Sequence, residues 1–210
     1  MNKLIEDLNW RYATKSFDSS KSIDNETLNT LKEAVRLTAS SYGLQPYEVF
    51  IIQDKDLRQK LKSASFNQSQ ITDSDYLVVF AVNTVIDEAY LDRYIKNIAE
   101  IREINVEDLS GMRDAIAGTV LQFPQDQKLN WAKKQAYIGL GNLLASAARL
   151  RVDACPMEGF DNKQYDEILN LEAKNLTSAV IATIGYRSED DSLQNAKKVR
   201  KSNEEFFNHL

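Results

Sequence analysis

The chain has 210 residues, 43% of them apolar and 9% aromatic, which suits one large folded domain with a substantial core. A net charge of −5 argues against a nucleic-acid partner, and a single cysteine excludes an intrachain disulfide. The one histidine, His209, excludes a histidine triad and a multi-histidine metal site, so any reactive group is a carboxylate, a lysine, a tyrosine or a borrowed cofactor. No stretch approaches the ~20 apolar residues that span a bilayer, and no signal-like run opens the sequence; a cytoplasmic protein with no membrane partner and no metal is the expectation.

In chain order, Leu4, Ile5 and Leu8 share one face of a helix over residues 3–9. Arg11 and Lys15 follow, four residues apart and framed by aromatics, so a turn or helix there brings both cations to one anion. Asp24 is placed to cap a helix carrying Leu28, Leu31, Val35 and Leu37. The polar loop Ser40-Ser41-Tyr42-Gly43-Leu44-Gln45-Pro46 leads into a strand over residues 47–53. A helix over 54–65, a polar loop over 66–70 and a continuous apolar strand over 76–82 come next; a strand of that kind is buried on both faces. Residues 86–128 read as a charged, mostly helical excursion in the position of a lid, broken at Phe123-Pro124-Gln125.

The most apolar helix is expected over 130–150, spotted with Gly139, Gly141, Ala145 and Ser146, which admit a close neighbour such as a second subunit. A short strand over 150–155 runs into Pro156-Met157-Glu158-Gly159-Phe160, read as a bend at a strand end, where α+β proteins place chemistry. A helix over 162–171 and a buried strand over 176–186 complete the domain. The extension 187–210 carries Lys197-Lys198-Val199-Arg200-Lys201, and Phe206-Phe207 suit docking on an apolar surface. No strand is followed by a Gly-x-Gly-x-x-Gly turn or a P-loop, which disfavours the usual dinucleotide and nucleoside-triphosphate folds. Cations at both ends of the chain together with amide-rich loops suit a phosphate-bearing heteroaromatic ring.

Five motifs in order resemble the nitroreductase family: Arg11-Tyr12-Ala13-Thr14-Lys15-Ser16-Phe17, Ser40 to Pro46, Trp131 to Tyr137, Pro156 to Asp161, and Lys198-Val199-Arg200. The resemblance implies an α+β fold, with a central mixed but mostly antiparallel sheet flanked by helices, in a single domain over 1–210 that forms an intertwined homodimer. It implies FMN as cofactor, NADH or NADPH as electron donor, and a small-molecule acceptor such as a nitroaromatic or a quinone. Reduction would be ping-pong, by hydride transfer through the flavin N5, with no catalytic protein residue; an enone, pteridine or free-flavin reductase is the alternative on the same scaffold.

By the same resemblance, Arg11, Tyr12, Ala13, Lys15, Lys198 and Arg200 would hold the phosphate, ribityl and pyrimidine side of FMN. Ser40, Ser41 and Gly43 would reach the flavin from the partner subunit, with Asn67 and Gln135 adding amide contacts. Pro156, Met157, Glu158 and Gly159 would lie along the ring. Three positions depart from the family pattern: Ala13 where serine is usual, Gly43 for asparagine and Gln70 for lysine.

Overall fold

The structure is a computed structural model that describes residues 2–210. Its centre is a four-stranded sheet in the order β1-β2-β4-β3, from β1 (Tyr47–Ile52), β2 (Tyr76–Asn83), β3 (Asp153–Met157) and β4 (Leu176–Gly185). All three strand pairs are antiparallel. Parallel pairing is confined, among the described residues, to an isolated bridge between Ala13 and Ala154. The helices are α1 (Lys3–Trp10), α2 (Asn25–Arg36), α3 (Lys55–Ser63), α4 (Gln70–Asp73), α5 (Glu88–Arg102), α6 (Ser110–Ala117), α7 (Gln125–Arg149), α8 (Asn162–Ile168) and α9 (Asn203–Phe206).

Strand β2 is buried on both faces because its two side-chain sets meet different layers. Val78, Phe80 and Val82 join the core under α2, α5, α6 and α7. Leu77 and Val79 point the other way, to the cluster with Leu61 of α3 and Tyr165 of α8. Helix α7 lies against the sheet through Ala136, Leu140 and Leu143. Gly139 is required inside the chain: an added Cβ would sit 2.8 Å from the Tyr47 hydroxyl and 3.3 Å from the Phe80 ring. That glycine admits Tyr47, not a second subunit.

Two boundaries differ from the sequence reading for physical reasons. Helix α7 begins at Gln125, five residues earlier than its apolar pattern, because Pro124 is its N-cap residue and its first turn is polar. Strand β3 runs through Met157, so Pro156 is a paired strand residue opposite Ala182, and the bend begins at Glu158. A proline is tolerated there because β3 is a sheet edge. Residues 150–151 form instead the turn that follows α7, with Leu150 as its C-cap and Arg151 at φ +59°.

Candidate functional site

The segment between α1 and α2 is laid along the β3 edge. Ala13 bridges Ala154, Phe17 bridges Arg187, and the Ser188 N–H donates to the Ser16 carbonyl at 2.9 Å. Its entrance is pinned by charge and aromatic stacking. Buried Asp7 accepts from Arg151 at 2.7 Å and pairs with Arg149 at 3.3 Å, while the guanidinium groups of Arg151 and Arg187 lie 4.9 and 4.3 Å from the Trp10 ring centre.

Asp191, 2% exposed, fastens the tail to the same segment. It accepts from the N–H groups of Lys15 (2.7 Å), Ser16 (2.9 Å) and Leu193 (2.9 Å). Burial acts to raise its carboxyl, but the backbone donors outweigh burial and hold it below its ordinary value.

These ties bring the two ends of the chain together. Arg11, Tyr12, Ala13, Lys15, Lys198 and Arg200 line one cleft of about 350 Å³. The Lys198 ammonium donates to the Arg11 carbonyl, and the Lys15 ammonium lies 3.8 Å from the Cys155 thiol on β3. Among the described residues, no carboxylate forms an ion pair with Arg11, Lys15, Lys198 or Arg200. Burial and then the charge of Arg200 lower the Arg11 guanidinium, and burial, Arg11 and Arg200 lower the Lys198 ammonium. The Arg11 Nε is buried without an acceptor. Facing cations with an unmet donor are the complement of a polyvalent anion.

Two other groups stand apart from the cleft. At the end of β3, the Glu158 carbonyl accepts from the Phe160 N–H (2.9 Å), the Gly159 carbonyl accepts from the Gln68 side chain (2.8 Å), and the Glu158 carboxylate bonds the Tyr137 hydroxyl (2.5 Å). Asn67 is adjacent, in a loop where Phe66 and Asn67 both adopt positive φ. Gly159 does not, so its freedom of φ is not what the bend uses; an added Cβ would meet the Gln68 side chain at 3.2 Å.

Ser40, Ser41 and Gly43 lie elsewhere, in a turn against the middle of α7. The Ser41 N–H donates to the Gln135 Oε1 (2.9 Å), and the Gln135 Nε2 donates to the Trp131 carbonyl (3.0 Å). Gln135 is buried and engages both ends of its amide within the chain. The space left by Gly43 is filled: its φ is +75°, an added Cβ would lie 2.5 Å from the Tyr94 hydroxyl, and that hydroxyl donates to the Tyr42 carbonyl at 2.6 Å. Gln70, the third departure, is buried at the start of α4 beside Cys155.

The model of the Nitroreductase family matches residues 8–186. The chain belongs to the nitroreductase family. Among its relatives in that family is a Staphylococcus saprophyticus protein provisionally named NAD(P)H nitroreductase, 32% identical over 215 residues that cover 99% of this chain and 96% of that one. Two solved structures share the fold. One, from Exiguobacterium sibiricum and described as a complex with FMN, has a TM-score of 0.85 at 18% identity, covering 99% of this chain and 97% of that one. The other, a gut-bacterial enone reductase, has a TM-score of 0.84 at 18% identity, covering 100% and 99%.

Sequence motifs therefore lead to the cationic cleft and to the β3 turn. They do not lead to Asp191, Gln68 or the bond from Tyr137. Asp191 is one of several acids in a polar turn, and although Tyr137 closes the Trp131 to Tyr137 motif and Gln68 lies in the polar 66–70 loop, neither stretch marks the bond its side chain makes.

Proposed function

We propose that this family member is an NAD(P)H-dependent FMN oxidoreductase acting on nitroaromatics, quinones or related acceptors. The observation that carries the reading is the cleft of five cations, Arg11, Lys15, Lys197, Lys198 and Arg200, with no carboxylate in its lining and with a buried unmet donor on Arg11, where the segment after α1 meets the tail. Such a cleft fits the phosphate of FMN, and the relative crystallised with FMN supports that ligand. FMN, if bound, would supply the two-electron redox chemistry between NADH or NADPH and the acceptor. The chain's part is to bind and orient. Arg11, Lys198 and Arg200 would neutralise the phosphate; Tyr12 and Ala13 would wall the cleft; Lys15, leaning towards β3, would carry positive charge to the ring end. Pro156 to Gly159 and Asn67 would flank the ring.

In the same reading Ser40, Ser41 and Gly43, held by Gln135, serve the site of a second copy. Leu4, Ile5 and Leu8 on α1 and Val199, Phe206, Phe207 and Leu210 on the tail are exposed, which supports a homodimer. Within the chain Phe206 and Phe207 pack on each other, ring centres 5.0 Å apart, and are otherwise uncovered. Residues 86–128 would cover the acceptor pocket, since Tyr94 and Thr119 both bond Tyr42 of the loop. No helix among the described residues is long and apolar enough to cross a membrane, and a cytoplasmic setting belongs to the same proposal.

A second reading, an enone reductase, is favoured by the gut-bacterial neighbour of like fold. The test has two parts. Lys198→Ala and Arg200→Ala should each weaken FMN binding by about tenfold or more, as loss of a charge-assisted phosphate contact does; wild-type affinity in both would overturn the phosphate assignment. Turnover of a nitrofuran, a quinone, an enone and free flavin by the holoenzyme then separates the two readings.

A further inference from the structure

The turn after β3 has its polar groups fixed from several sides, and among the described residues the Glu158 and Gly159 N–H groups are left without an acceptor. The Glu158 carbonyl takes the Phe160 N–H, and the Asp161 N–H reaches back to the Ala64 carbonyl at 2.8 Å. The Gly159 carbonyl is held by Gln68, whose Nε2 also donates to the Ser65 carbonyl at 3.1 Å. The Glu158 side chain is held by Tyr137, projecting from α7 on the far side of the turn. Among the described residues, the Gly159 N–H has no acceptor.

We propose that Tyr137 and Gln68 are positioning residues, which lock the Glu158–Gly159 turn so that the free Gly159 N–H is a fixed donor for the cofactor ring. The proposal rests on the FMN reading above. Both anchors are side chains reaching in from separate elements, α7 and the 66–68 loop, so the turn is registered against the body of the protein and not only against itself. Burial, and then the neighbouring Glu158 carboxylate, push the Tyr137 phenol up to about 12, so it remains a protonated donor at physiological pH. Glu158 and Gly159 are exposed, and bonds between partly exposed groups add little to global stability. Two such anchors on one exposed turn are better explained by placement than by folding.

The test is a double-mutant cycle read on FMN binding and on the two-electron midpoint potential of the bound flavin. Tyr137→Phe should keep the wild-type circular dichroism spectrum, weaken FMN binding about fivefold, and move the potential to a more negative value, because a mobile N–H stabilises the reduced ring less well. Glu158→Ala should do the same, and the double variant should be no worse than either single. Glu158→Gln, which keeps an acceptor for Tyr137, should bind FMN more tightly than Glu158→Ala. Gln68→Ala should match Tyr137→Phe in sign. Wild-type affinity and potential in Tyr137→Phe, or full additivity in the double variant, would overturn the proposal alone. Wild-type protein that takes up no FMN would overturn the cofactor reading and this proposal with it.

Discussion

Gly43 and Tyr94 are matched to each other. At φ +75° a side chain is strained, and the Tyr94 hydroxyl already occupies the place where a Cβ would go. The glycine thus leaves room for the hydrogen bond from α5 to the loop backbone. Gly43→Ala should destabilise the protein by about 1–3 kcal/mol in urea unfolding. The penalty should be smaller when Tyr94→Phe is present, because the clashing oxygen is then gone. Equal penalties in the two backgrounds would show that backbone strain alone sets the cost.

At the scale of elements, the cationic cleft depends on how the tail is fastened to the segment after α1, and Asp191 is the fastening. Removing its carboxylate leaves the Lys15, Ser16 and Leu193 N–H groups without their shared acceptor. Asp191→Ala should cost about 2–4 kcal/mol, the range for losing charge-assisted bonds in a buried place, and should weaken FMN binding as Lys198 and Arg200 lose their position. The sign of the pH dependence follows from the lowered carboxyl. The stabilisation is present above the unfolded value of 3.8 and is lost as pH falls through the lower folded value, so acid should unfold wild type more steeply than Asp191→Asn. An identical acid limb in both proteins would contradict the assignment.

For the whole molecule, the sheet and its two layers were legible in the sequence because apolar periodicity records burial directly. Residues 76–82 read as a strand covered on both faces, and β2 is one; Asp24 read as an N-cap, and its side chain accepts from the Thr27 N–H. The proline in β3 and the polar first turn of α7 were misread because a local rule met a tertiary exception: an edge strand in one case, an N-cap proline in the other. The cations of the cleft could be picked out because residues far apart in sequence recur as motifs. Their supports could not, since Asp191, Gln68 and Tyr137 act through contacts 21 to 176 positions away, which no local pattern records. The segment after α1 and the tail converge on one cationic cleft whose lining holds no carboxylate. The most direct test of what that cleft binds is the visible spectrum of purified protein, incubated with FMN, desalted, and then exposed anaerobically to NADH and to NADPH. Retained flavin bands, bleached by at least one of the two nucleotides, are the expected result; protein that desalts colourless, or flavin that neither nucleotide bleaches, would contradict the FMN reading.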